Sequence, residues 1–132
     1  MPRRRSRTLT DLELAIMLIV WERTAATVEE VRQALAARGH ALALPSVRTM
    51  LTILETKKYV ARAAEGRRHV FRARVTREDA QRSIVKDVVE RAFQGSALDL
   101  VAALVDSRMV GKNDAAKVAA LIRRAEQEER KR

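Results

Sequence analysis

The chain has 132 residues, with 27 Lys/Arg against 17 Asp/Glu, a formal net charge of +10 and no cysteine. Disulfides, thiolate metal sites and cysteine nucleophiles are therefore excluded, and two histidines, His40 and His69, leave any zinc site dependent on carboxylates. Aromatics are 3% of a sequence that is 47% hydrophobic, so the core must be aliphatic, a composition that suits helices better than a sandwich of strands.

No run approaches the ~20 apolar residues that span a bilayer. The basic start, Met1-Pro2-Arg3-Arg4-Arg5-Ser6-Arg7, is not followed by a signal-peptide cleavage pattern. A soluble, cytoplasmic protein is expected. One this basic usually binds a polyanion, and nucleic acid is the default. The charge is uneven: residues 1–76 hold 15 Lys/Arg against 7 Asp/Glu, whereas residues 77–132 hold 12 against 10. The two halves should do different jobs.

Thr10-Asp11-Leu12-Glu13 fits a capping box, in which a threonine and a glutamate three residues on satisfy each other's free N–H groups. A helix from about Asp11 to Arg23 follows, with Leu12, Ala15, Ile16, Ile19 and Val20 on one face. Thr27-Val28-Glu29-Glu30 is a second capping box, opening a helix through Val31 and Leu35 that stops at Gly39. Pro45 suits the first turn of a third helix, about Pro45 to Lys58, whose Val47, Met50, Leu51 and Leu54 form a core-facing stripe. The opposite face carries Thr49, Thr52 and Thr56, flanked by Arg48 and Ile53. Small, polar and poor in acids, it can approach a groove floor.

After Lys57-Lys58 the period changes to two. Tyr59–Ala64 and Arg68–Val75 read as strands around a turn at Glu65-Gly66-Arg67. Arg68, Arg72 and Arg74 share a face with Val70, while His69, Phe71, Ala73 and Val75 share the packed one. Three helices and a basic hairpin are the order of a winged helix. A fourth helix, about Arg77 to Phe93, is capped by Thr76 and broken by Gln94-Gly95-Ser96; a fifth spans about Ala97 to Asp106. Asn113 or Asp114 can cap a sixth, with Val118, Leu121, Ile122 and Ala125 on one side and a solvated end at Glu126–Arg132. Helices in residues 77–132 alone bury too little area to be stable, so their apolar faces need a partner, most simply a second copy.

The sequence resembles the penicillinase-repressor family of BlaI and MecI, which includes the copper-responsive repressor CopY. The resemblance covers nearly the whole chain. It rests on Leu9-Thr10-Asp11-Leu12-Glu13, Val20-Trp21, Ser46-Val47-Arg48-Thr49-Met50-Leu51-Thr52, Gly66-Arg67-Arg68-His69-Val70-Phe71 and Phe93-Gln94-Gly95-Ser96. It implies a dimeric repressor that binds a palindromic operator near a promoter. Three positions depart from the family. Ile53 stands where an arginine often follows the threonine, and its apolar side chain could touch a thymine methyl instead. Ala103-Leu104 replaces the Asn-Phe bond cut on induction, so inactivation by a sensor protease does not carry over. The C-terminal cysteines of the copper-responsive branch are absent.

The expected architecture is mainly α with a small α+β wing: a flexible basic arm (1–8), a winged helix-turn-helix (9–76) and a helical dimerisation domain (77–132). Arg48, Thr49 and Thr52 are candidates for base readout, or merely an exposed helix face. Ser46, Arg67, Arg68, Arg72 and Arg74, with Arg3 and Arg5 of the arm, are candidates for phosphate contact, the strand arginines alternatively a solvated edge. Val88, Leu98, Val101, Leu104, Val105 and Ile122 are the expected dimer core, with an effector pocket as the other reading of Leu98, Val101, Leu104 and Val105. Trp21 reads as core, His69 as structural and His40 as a loop residue. No cofactor or metal is expected, and scattered acids without a phosphate loop or Ser/His/Asp set argue against an enzyme. The rival to an operator-specific repressor is an architectural or nonspecific duplex binder, since net charge alone gives salt-sensitive binding.

Overall fold

The computed structural model describes residues 8–131; Arg3 and Arg5 of the basic arm lie outside them. In chain order the elements are α1 (Asp11–Arg23), β1 (Ala25–Thr27), α2 (Val28–Ala37), α3 (Leu44–Thr56), β2 (Val60–Glu65), β3 (Arg68–Ala73), α4 (Arg77–Ala92), α5 (Ala97–Asp106) and α6 (Lys112–Arg130). The fold is mainly α with one small sheet, a winged helix-turn-helix followed by helices. Two compact units divide inside α4, one ending at Asp87 and the other beginning at Val88. The expected boundary at 76/77 precedes α4. The difference has a local cause: Ala80 is buried in the core of the winged unit, and the Ser83 hydroxyl hydrogen-bonds Tyr59.

Both capping boxes form. The Thr10 N–H donates to Glu13 Oε1 at 2.8 Å and the Glu13 N–H to Thr10 Oγ1 at 3.2 Å. Thr27 and Glu30 repeat the exchange at 2.9 and 3.2 Å. Each cap satisfies backbone donors that the helix leaves open and stabilises its helix by ~1 kcal/mol. α1 buries Ile16, Met17, Ile19 and Val20; α2 adds Val31 and Leu35; α3 adds Val47, Leu51 and Leu54; the sheet adds Val60 and Phe71. Each such apolar side chain gains roughly 1.5–3 kcal/mol from leaving water.

The sheet is antiparallel in the order β1-β3-β2. β1 was not expected: its three residues carry no alternating pattern, and it exists because Ala26 pairs with Phe71 and Thr27 with Val70. β2 and β3 join through Gly66 and Arg67, with Glu65 paired to Arg68. Gly66 sits at φ +64°, a conformation that L side chains rarely adopt. His69 corrects its expected placement on the packed side. It is exposed, as is every residue from Ala61 to His69, because only the Val60 and Phe71 end of the hairpin reaches the core. Val70, on the arginine-bearing face, is nevertheless buried. Trp21 lies half-buried against the core, and its indole N–H donates to the Val75 carbonyl at 2.9 Å.

A buried ion pair fixes the end of α3 against the start of α1. Lys57 Nζ donates to Glu13 Oε1 at 2.8 Å and to the Thr8 carbonyl at 3.3 Å, with side-chain exposures of 9% for Lys57 and 2% for Glu13. Burial alone would raise the Glu13 pKa. The Lys57 bond and charge and the two bonds with Thr10 outweigh it, holding the carboxyl below the ordinary glutamate range. Among the described residues, Glu13 Oε2 has no hydrogen-bond partner.

In the second unit, Gln94 at φ +51° and Gly95 at φ +85° end α4, and Ser96 caps α5 through a 3.1 Å bond from the Asp99 N–H. α6 starts earlier than expected. Its N-cap is Gly111, already extended at φ −74°, ψ 162°, so Asn113 and Asp114 fall inside the helix rather than capping it.

Candidate nucleic-acid interface

α3 turns Val47, Leu51 and Leu54 inward, which leaves Arg48, Thr49, Thr52 and Thr56 exposed on its far side. The three candidates for base readout therefore share one surface. Ser46 is exposed in the first turn; its N–H donates to the Ala43 carbonyl at 3.0 Å, which leaves the hydroxyl as its group for a phosphate. Thr49 Oγ1 donates to the Pro45 carbonyl at 3.0 Å, Thr52 Oγ1 to the Arg48 carbonyl at 3.0 Å and Thr56 Oγ1 to the Thr52 carbonyl at 3.1 Å.

Arg67 occupies the hairpin turn, Arg68 and Arg72 lie on β3, and Arg74 follows it; all four are exposed. The Arg74 N–H donates to the Tyr59 carbonyl at 2.8 Å, extending the β2–β3 ladder toward the end of α3. Arg62 on β2 connects the hairpin to α3, and sequence reading missed it. Its Nη2 donates to Thr52 Oγ1 at 3.1 Å and lies 3.4 Å from Glu55, while its guanidinium stands 5.1 Å from the centre of the Phe71 ring. A cation over an aromatic face at this distance is attracted by the ring quadrupole. The same group balances Glu55, the acid of α3, which would otherwise repel a phosphate backbone. A signal existed in the sequence, since Arg62 shares the face of Val60 on a strand that pairs with the one carrying Phe71, but the reach to Thr52 is a tertiary fact.

The residues expected to pair two copies lie in the second half. Leu98 is 77% exposed and Ile122 50%, and Val88, Val101 and Val105 are exposed as well; Leu104 is intermediate. Among the described residues, α5 and α6 bury none. No group of three or more His, Cys, Asp or Glu among the described residues could hold a metal ion, and no helix is long and apolar enough to cross a membrane.

None of the curated proteins compared with this chain matches it. Among solved structures it is similar to the DNA-binding domain of the repressor BlaI, at 23% identity over 58% of this chain and 93% of that one, TM-score 0.49. It is also similar to monomeric BlaI of Bacillus licheniformis in complex with the blaP half-operator, at 25% identity over 55% and 87%, TM-score 0.47. A third is BpsR of Bordetella bronchiseptica, whose DNA binding is regulated by 6-hydroxynicotinic acid, at 17% identity over 90% and 76%, TM-score 0.44. The sequence itself matches the penicillinase repressor family over residues 9–124, all but the ends of the chain. That family consists of DNA-binding transcriptional repressors, not enzymes, and this chain belongs to it.

Proposed function

We propose that the chain represses transcription in the cytoplasm by binding a palindromic operator as a homodimer. Residues 77–132 pair two copies, and residues 9–76 of each copy place α3 in a major groove. Half-sites then lie about one helical turn, ~34–36 Å, or a multiple apart. Arg48, Thr49 and Thr52 read bases. The Ser46 hydroxyl, Arg67, Arg68, Arg72 and Arg74 hold phosphates, and the arm with Arg3 and Arg5 follows the backbone or an adjacent minor groove. Repression follows from occupying the promoter.

The observation that carries this reading is the exposed face of α3: short side chains and one arginine, with Glu55 balanced by Arg62 and an arginine-bearing hairpin on the same unit. Pairing is supported by the second half, where two helices with apolar stripes bury no residue within one chain. The test is enrichment of genomic fragments on the full-length protein at ~150–200 mM salt, where nonspecific attraction fades. A few promoter fragments sharing an inverted repeat are expected. Recovery in proportion to fragment length overturns the reading and leaves an architectural duplex binder.

A further inference from the structure

Each threonine hydroxyl on the exposed face of α3 sends its proton inward. Thr49 donates to Pro45, Thr52 to Arg48 and Thr56 to Thr52, every bond between 3.0 and 3.1 Å and every acceptor the carbonyl four residues earlier. A threonine hydroxyl has one proton. With that proton on the helix backbone, none remains for thymine O4 or for guanine O6 and N7. The tetrahedral Cβ that holds Oγ1 against the backbone also leaves the Cγ2 methyl free on the exposed face.

Thr52 is fixed twice over. Its Oγ1 accepts a 3.1 Å bond from Arg62 Nη2, and that guanidinium is itself held by Glu55 and by the Phe71 ring. Turning the hydroxyl out to donate to a base would break both of its bonds. Ile53 flanks the same surface, half-exposed. The face thus offers methyl groups, and thymine is the base that presents a methyl in the major groove.

We propose that Thr49 and Thr52 read thymines by methyl-to-methyl contact, their hydroxyls serving the helix, and that Arg62 is the positioning residue that keeps Thr52 in this rotamer. The inference rests on the operator reading above and names the chemistry by which the half-site is chosen.

The test uses the full chain and a synthetic duplex bearing the enriched inverted repeat. Thymines are replaced one at a time by deoxyuridine, which removes only the methyl group. Uracil under α3 is expected to weaken binding roughly fourfold per position, equivalent to ~0.8 kcal/mol at about 1.4 kcal/mol per tenfold. Thr52→Val and Thr49→Val, which keep the methyl, should bind the thymine duplex within about twofold of the parent. Thr52→Ser and Thr49→Ser should lose roughly fourfold on thymine and nothing further on uracil. Arg62→Ala should reduce discrimination between thymine and uracil, and that effect should vanish in the Thr52→Val background, where no hydroxyl needs holding. A merely structural Arg62 would not show this dependence.

Equal binding of thymine and uracil duplexes overturns the inference. So does loss of affinity in the valine variants with the serine variants intact, because the hydroxyl would then be the reader. In either case the operator reading survives. If no fragment is preferred in the first place, that reading falls and this inference falls with it.

Discussion

In the winged unit, α1 hides Ile16, Met17, Ile19 and Val20 from solvent, and α2, α3 and the sheet close over them. In the second unit, α5 and α6 carry apolar stripes, yet Leu98, Leu121 and Ile122 each remain at least half exposed. The aliphatic side chains of the two units therefore stand in opposite relations to water. The winged unit satisfies its apolar groups within one chain, so its stability is a property of that chain. The second unit has aliphatic surface without a core, and a structure of this kind becomes stable by association. Under the proposed pairing, stability and assembly belong to different parts of the sequence, and perturbations can separate them.

The largest expected effect is on the winged unit. Lys57→Met leaves the Glu13 carboxylate buried without its cation and should destabilise this unit by ~3–5 kcal/mol in denaturant unfolding. The salt dependence of DNA binding should not change, since Lys57 is too buried to meet a phosphate. A cost below about 1 kcal/mol would mean that water reaches the pair. Next comes Leu98→Asp. Leu98 is 77% exposed in the single chain, so a charge there costs the monomer little. Sedimentation should show the dimer weakened about thirtyfold, roughly 2 kcal/mol, with the winged unit unaltered. An unchanged association constant would remove α5 from the interface.

Arg48→Ala sharpens the contrast on the DNA side. A loss of ~1–3 kcal/mol on the preferred site, with little on random duplex, is expected if Arg48 forks onto a base edge. Equal losses on both would make it a phosphate contact. The smallest effect is on acid stability. Glu13 and Glu30 both have carboxyls held below their ordinary pKa: burial opposes the shift at Glu13 but yields to Lys57 and Thr10, and at Glu30 the bonds with Thr27 lead. Depressed carboxyls contribute fully above the unfolded value, about 4.3, and lose that contribution as pH falls through the folded values. The denaturation midpoint of the winged unit should drop between about pH 5 and pH 3, less steeply in Glu13→Gln. A midpoint that holds through this range would remove both carboxyls from its acid stability.

What could be read without coordinates was local. α1 runs over Asp11–Arg23 as its capping box and apolar spacing require, and α5 over Ala97–Asp106. What could not be read depends on partners far along the chain. β1 is a strand only because Phe71 returns beside Ala26, and Glu13 looks like a simple cap until Lys57 arrives 44 residues later. His69 follows the strand alternation in sequence, but alternation says nothing of how far a hairpin projects beyond the core. At the candidate interface, the small polar face of α3 was legible, as were the arginines of the hairpin. The clamp of Arg62 on Thr52 and Glu55 was not, since it needs the turn at Gly66 to bring β2 and Phe71 together.

Trp21 is the only tryptophan in the chain, and its indole is anchored to the Val75 carbonyl, where the hairpin gives way to α4. Nature has thus placed a single indole inside one unit and none in the other. Tryptophan emission follows the winged unit alone, whereas far-ultraviolet dichroism sums all six helices. On the proposed pairing, dilution parts the copies, the two signals fall out of step, and the gap between them measures assembly without any added label.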